Sequence, residues 1–304
     1  MLAQAQLLNE TQFTIHPATR MGRVHLTVAD LDSQTIFYQD VLGLKVHRRE
    51  NGVASLGAGA EELLRLTERR GARRVQRTSG LYHFAVLVPN RKELARVIAR
   101  LFSLRYTNYP TDHLMTKSTY LDDPEGNGIE VYAESPEDGT FAIHDGVFDA
   151  RRADGTPSDG REPLDVQALF KELKSDDRLD APLPSDTKIG HVHLHVANLN
   201  DAMRFYHGVL GFGNQGLSPV MGAGFVSAGG YHHHIAFNTW AGRGAPPPPS
   251  DSLGLRDLAV VLPNQTESQR VVARVQQAGI ATKQTDEGIL VRDPSQNGIV
   301  LMNR

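Results

Sequence analysis

Runs of alternating apolar and polar residues recur along this chain, each followed by a helical period and then by short strands. In 22–44, GRVHLTVADLDSQTIFYQDVLGL, the residues Val24, Leu26 and Val28 alternate with Arg23, His25 and Thr27. That alternation predicts a strand with one apolar and one polar face. Asp30 or Asp32 can cap a helix running to about Leu42, with Ile36, Phe37 and Val41 inward and Gly43 ending it. Short strands are predicted around 44–48, 52–57 and 61–67, divided by the Asn51-Gly52 and Gly57–Gly59 turns. A second β-α-β-β-β unit opens with GLYHFAVLVPN (80–90). It continues with a helix over 91–102 carrying Leu94, Val97, Ile98 and Leu101 on one side.

That second unit closes with 111–132, TDHLMTKSTYLDDPEGNGIEVY, a polar strand, a tight turn and a half-buried strand. Pro124 fixes φ in the turn, and its Gly and Asn residues are those that can adopt positive φ. Glu130 points opposite to Ile129 and Val131, away from the apolar packing. A bare carboxylate on an inner sheet face is costly unless it is paired or binds a metal. Glu130 is therefore the first functional candidate, against the alternative of an exposed-edge or arginine-paired glutamate.

The pattern then restarts. Laid on 22–44, the stretch 190–212 (GHVHLHVANLNDAMRFYHGVLGF) matches at 12 of 23 positions without a gap. GLRDLAVVLPN (254–264) repeats 80–90, and DPSQNGI (293–299) repeats DPEGNGI (123–129). Repeats of this length mean two like domains rather than a solenoid. The expected organisation is a loosely held lead-in over 1–20, a first domain over 21–135, a connection over 136–187 and a second domain over 188–304. The connection is acidic and rich in Pro, Gly and Ser, with one short helical pattern at 165–174.

Composition narrows the class. The chain has 304 residues and a formal net charge of −3, which gives no electrostatic case for nucleic acid or an anionic membrane. No apolar run is long enough to span a bilayer, and 1–20 lacks a signal-peptide core, so a cytoplasmic protein is expected. With no cysteine, thiolate metal sites and cysteine nucleophiles are excluded, leaving 13 histidines for metal binding and proton transfer.

The two strand–helix phrases, GLYHFAVLVPN, the ten-residue spacing of Tyr120 and Glu130, and GGYHHHIAFNTWAG (229–242) resemble the vicinal oxygen chelate superfamily. Within it the likeness is to two-domain extradiol ring-cleaving dioxygenases, over roughly 20–304. The resemblance implies an α+β fold of four βαβββ units, paired into two similar domains whose curved mixed sheets form open cups. It also implies an enzyme using Fe(II), or Mn(II), with two His and one carboxylate as ligands. Its partners would be an aromatic diphenol and dioxygen, with no nucleic acid and no membrane; homo-oligomerisation is left open. The superfamily also contains metal-dependent isomerases or lyases and non-catalytic binders of aromatic ligands, which stand as alternatives.

Carried onto this chain, the resemblance implies His83 and Glu130 as metal ligands, with Tyr120 at a substrate oxygen and His113 as the acid–base group. For the remaining ligand the pattern breaks. His83 lies seven residues before Asn90, and the matching position before Asp30 is Arg23. His25, two residues along the same face, is then the expected third ligand, with an Arg23–Glu130 pair and no metal as the alternative. In the second half, His191 occupies the first-strand position, Asp257 replaces the partner His and Val300 the carboxylate. That half is expected to be mainly structural, with a metal held by His191, His234 and Asp257 as the lesser possibility. The histidines 232–234 resemble an acid–base group but are expected to fall in the wrong domain for Glu130.

Overall fold

The computed structural model describes residues 13–303. The first unit comprises β1 (Arg20–Val28), helix α1 (Leu31–Ile36), β2 (Lys45–Glu50), β3 (Val53–Ala58) and β4 (Glu61–Glu68). The second comprises β5 (Gly80–Leu87), α2 (Arg91–Ser103), β6 (Tyr109–Asp112), β7 (Thr116–Asp122) and β8 (Gly128–Glu134). The connection forms β9 (Gly139–His144), β10 (Val147–Arg152), β11 (Pro157–Ser158), β12 (Glu162–Pro163) and α3 (Val166–Phe170). A third unit follows as β13 (Lys188–His195), α4 (Leu199–Met203), β14 (Gly213–Ser218), β15 (Ala223–Ser227) and β16 (Ile235–Asn238). The fourth is β17 (Gly254–Leu262), α5 (Gln265–Gln277), β18 (Lys283–Thr285), β19 (Gly288–Arg292) and β20 (Gly298–Asn303).

Side-chain caps start every unit helix. Asp30 accepts from the Ser33 N–H, Asn90 from Glu93, Asn198 from Asn200 and Asp201, and Asn264 from Glu267, each satisfying an orphan donor. Both α1 and α4 run on into a wider π turn, over Phe37–Leu42 and Arg204–Val209. No helix among the described residues is long and apolar enough to cross a membrane.

The four units assemble into two large sheets, and each sheet takes one unit from each half of the chain. One has the order β18-β19-β20-β17-β1-β4-β3-β2; the other is β12-β6-β7-β8-β5-β13-β16-β15-β14. The expected pairing of first with second unit and third with fourth within a sheet is thus corrected to first with fourth and second with third. The seams are antiparallel: β1 on β17, with His25 opposite Asp257, and β5 on β13, with His83 opposite His193.

What ties the two units of one half together is the repeated Asp-Pro turn. Asp123 Oδ1 accepts the N–H groups of Glu125 and Asn127, while its Oδ2 accepts from the Tyr38 hydroxyl at 2.8 Å. Asp293 repeats this with Ser295, Asn297 and, at 3.0 Å, Tyr206. Each tyrosine sits on the helix of one unit and each aspartate in the last turn of the next. The DP–NG repeat is therefore a buried brace between sheets.

Two expectations change at the edges. Residues 1–12 of the expected lead-in lie outside the described residues, but 13–19 are not loose. Ile15 is buried and its N–H bonds Gly211, and His16 N–H bonds Glu267. The connection is likewise more than a surface strap. β12 adds to the β6 edge, and β9, β10 and β11 form a small sheet of their own.

Candidate metal centre and its cavity

Register builds the site. Across the central seam Ala85 of β5 is flanked by Glu130 on parallel β8 and by His191 on antiparallel β13. His83 lies two residues before Ala85, so it projects from the same face. Alanine at the centre leaves the space above it to the three flanking side chains. His83 Nε2, His191 Nε2 and Glu130 Oε2 converge there, with separations of 3.0 Å (His191–Glu130), 3.2 Å (His83–Glu130) and 3.4 Å (His83–His191). Ligand atoms in cis positions on an octahedral ion, with bonds of roughly 2.1 Å, lie about 3 Å apart. Two imidazoles and a carboxylate at these separations fit a facial metal triad. Among the described residues they are also the group of three such side chains close enough to hold an ion.

The surroundings keep Glu130 and His191 in the protonation state a cation needs. Burial pushes the Glu130 carboxyl up, but the His191 and His83 imidazoles hydrogen-bonded to it outweigh this and hold it well below the usual carboxylate range. Burial brings His191 down to about 4 against the pull of Glu130. Ser118 Oγ donates to Glu130 Oε1 at 2.6 Å, which turns the other oxygen toward the histidines.

A cavity of about 350 Å³ opens over the triad. Tyr120, on β7 directly opposite Glu130, enters it beside His83. Its hydroxyl lies 2.9 Å from His113 Nε2, and His113 Nδ1 lies 2.8 Å from the Gly160 carbonyl. A carbonyl only accepts, so Nδ1 carries a proton, and in the neutral ring Nε2 then accepts from Tyr120. Burial, and then the nearby Glu130 charge, raises the Tyr120 hydroxyl well above its ordinary range, so it stays protonated. Phe141, Phe148, Asp159, Gly160 and Arg161 of the connection line the cavity. Trp240, Tyr82, Met115, Met221 and Phe225 complete a mainly apolar and aromatic wall.

Several sequence-predicted residues fall elsewhere. His25 is not with His83 and Glu130. It lies on the other sheet, its Nδ1 3.2 Å from Asp257 and its Nε2 2.7 Å from Thr67 Oγ1. Arg23 does not reach Glu130; it pairs with Asp257 at 2.7 Å and with Glu287. The alternative trio of His191, His234 and Asp257 is not brought together: Asp257 belongs to that ion cluster, and His234 Nδ1 accepts from the Ala228 N–H. His191, expected in a mainly structural half, instead stands with His83 and Glu130 beside Ala85. His233 also lines the triad cavity, its ring 4.3 Å from that of His191. His232 Nδ1 lies 2.8 Å from His233 Nδ1, and its Nε2 stands 3.5 Å from Glu134 Oε1. The signal for His191 was present, since it precedes Asn198 by the same seven residues that separate His83 from Asn90. What was missing was which units share a sheet.

Paired βαβββ units forming curved sheets, with a two-histidine, one-carboxylate cluster on a seam, define a vicinal oxygen chelate protein. The chain belongs to the Glyoxalase/Bleomycin resistance protein/Dioxygenase superfamily, which it matches over residues 20–131 and 188–301. It is 39% identical over 284 residues to a catechol-2,3-dioxygenase of Bacillus subtilis (strain 168), covering 92% of this chain and 96% of that one. Among solved structures, its fold is similar to a provisionally assigned dioxygenase from Bacillus subtilis (TM-score 0.64, 12% identity, 96% of this chain and 86% of that one). It is also similar to glyoxalase I from Zea mays (TM-score 0.55, 16% identity, 94% and 92%).

Proposed function

We propose that this protein is an Fe(II)-dependent extradiol dioxygenase that opens the ring of a catechol-like diphenol with both atoms of dioxygen. His83, His191 and Glu130 would hold the ion, and Mn(II) would suit the same donor set. The observation that carries the reading is the triangle of ligand atoms on the floor of an aromatic-walled cavity. The identity to a catechol-2,3-dioxygenase over nearly the whole chain adds to it. Ferrous ion bound there would act as a Lewis acid on a chelated diphenol and bring it into contact with dioxygen.

The protein's own contribution is orientation, exclusion of water and proton handling. Because the Tyr120 proton is directed to His113 Nε2, the Tyr120 oxygen offers a lone pair to the cavity and can accept a substrate hydroxyl. A proton arriving at Tyr120 then has His113 Nε2 as its next acceptor, and Gly160 anchors that ring from behind. His233 supplies a second proton-handling group on the other side of the triad, in contact with His191. Phe141, Phe148, Phe225 and Trp240 suit the flat apolar body of a diphenol and keep bulk water away.

The test is oxygen uptake by iron-loaded, reduced protein with catechol and substituted catechols, alongside the rise of a coloured ring-opened semialdehyde acid. Stoichiometric oxygen consumption with product is the expected result. Reduced, iron-loaded protein that consumes no oxygen with any diphenol overturns the proposal.

A further inference from the structure

Three histidines of β13 face inward: His191, His193 and His195. His191 belongs to the metal centre, and the chemistry above leaves the other two unused. His193 is directly opposite His83 in the seam, lines the triad cavity and is buried. Its Nε2 lies 2.9 Å from Asn238 Nδ2, and the orientation of that amide is fixed independently of any histidine. The Trp240 backbone N–H, which can only donate, bonds Asn238 Oδ1 at 2.9 Å. His195 Nδ1 bonds the same oxygen at 2.8 Å, as a donor. Asn238 is wholly buried, so its NH2 group needs the acceptor that His193 Nε2 provides. An imidazole nitrogen that accepts is unprotonated, and a neutral ring then carries its proton on the other nitrogen.

The His193 tautomer follows from this chain of bonds: Nδ1 carries the hydrogen. Among the described residues Nδ1 has no partner, yet it is not fully shielded from solvent. In a buried residue that lines the cavity, its free surface faces that cavity. Tyr120 and His193 flank His83 from opposite sides, with ring centroids 5.5 and 5.1 Å from it. Tyr120 presents a lone pair, whereas His193 presents an N–H.

We propose that His193 is a further catalytic residue, a fixed neutral hydrogen-bond donor to an oxygen atom of the reactants on the side of His83 away from Tyr120. Asn238 is its positioning residue. The proposal rests on the dioxygenase reading for its effect on turnover, but not for the tautomer or for contact with a diphenol. A preorganised donor aimed at developing negative charge is worth about 10²–10³ in rate when removed.

The experiment begins with the zinc-loaded, oxygen-free protein, whose imidazole N–H signals are recorded by 1H–15N NMR and assigned with His193→Leu. The expected spectrum has His193 as the Nδ1–H tautomer, with that proton shifting when catechol is added; Asn238→Leu should abolish the single-tautomer signal. An Nε2–H tautomer, or an Nδ1–H unmoved by saturating catechol, overturns the proposal whether or not the protein consumes oxygen. With iron, His193→Leu should keep its metal and lose about a hundredfold in kcat/KM, and His193→Asn, which retains an N–H donor, should recover part of the loss. Full activity in metal-replete His193→Leu would also overturn it. Wild type that shifts the His193 signal with catechol yet takes up no oxygen supports the contact and rejects the dioxygenase reading alone.

Discussion

Ser118→Ala isolates what the support of the carboxylate contributes to metal binding. The hydroxyl donates to Glu130 Oε1 at 2.6 Å, and neither residue is more than 3% exposed. Removing it leaves Glu130 with its two histidines but frees the carboxylate to rotate. Losing an outer partner of a metal ligand typically costs about 10- to 100-fold in affinity, or roughly 1.4–2.7 kcal/mol. This bond is short, charge-assisted and sealed from solvent, so the upper half of that range applies, about thirtyfold or more. Metal-free stability should fall as well, by about 1–3 kcal/mol, because a buried acceptor loses a donor. The assay is competition for Fe(II) against a chelator of known affinity under nitrogen, with urea unfolding of the metal-free protein in parallel. Thr119→Ala is the control: its hydroxyl donates to Asn108 Oδ1 on the other face of the strand, so iron affinity should not change. Ser118→Ala that binds iron as tightly as wild type would refute the reasoning, and with it the claim that Glu130 Oε2 is a ligand held in place.

Other outcomes follow from the same geometry. His191→Ala should lose bound iron while the protein stays folded, whereas His25→Ala should keep its iron, both read by metal analysis after gel filtration. Tyr120→Phe should retain metal and fold and slow turnover by roughly tenfold or more, measured by oxygen uptake. Asp257 should govern part of the acid stability. Burial pushes its carboxyl up, but His25 and Arg23 outweigh this and bring it down to about 2. Because the folded value is depressed, this contribution is complete above the unfolded value of about 4 and is lost as pH falls toward 2. Asp257→Asn should therefore cost about 2 kcal/mol at pH 7 and show a shallower loss of urea stability between pH 4 and 2 than wild type.

The strands, helices and repeat were legible because each is a local signal. Alternation marks β1 and β13, asparagine or aspartate caps mark the helices, and the DP–NG turn recurs intact. Glu130, His83, Tyr120 and His113 were legible for the same reason, since register within one unit brings them together. Which unit lies across the seam is not local. Nothing in the alternation of β5 distinguishes β1 from β13 as its neighbour, because both are apolar on one face and histidine-bearing on the other. Choosing the partner by sequence proximity put His25 where His191 stands and set His233 outside the cavity it lines. Asp257 held usable information: a carboxylate where the partner histidine should be, facing Arg23 at the matching position, is the signature of an ion pair. Val300 in place of the glutamate pointed the same way. Two complementary substitutions at one seam and two intact candidate ligands at the other favour first-with-fourth and second-with-third pairing.

The two seams are one design filled in two ways. In the second-with-third seam, Ala85 is flanked by Glu130 and His191; in the other, Ala259 of β17 is flanked by Val300 on β20, with Asp257 two residues before it. A histidine at both first-strand positions without the glutamate would leave two buried imidazoles with no counter-charge and no third ligand. The chain instead places Arg23 against Asp257 and extends the cluster through Glu287 to Arg65 and Glu62. A buried charge pair recovers its desolvation cost only when its remaining donors and acceptors are satisfied. Arg23 meets this by reaching both Asp257 and Glu287, and Asp257 by also facing His25. Deleting either partner would leave a buried charge unpaired, whereas replacing both by apolar residues could restore stability. The same substitution at the triad would instead remove two of the three candidate metal ligands. Comparing Arg23→Met/Asp257→Leu with His83→Leu/His191→Leu therefore separates a seam kept for stability from a seam kept for chemistry: only the second pair should cost iron.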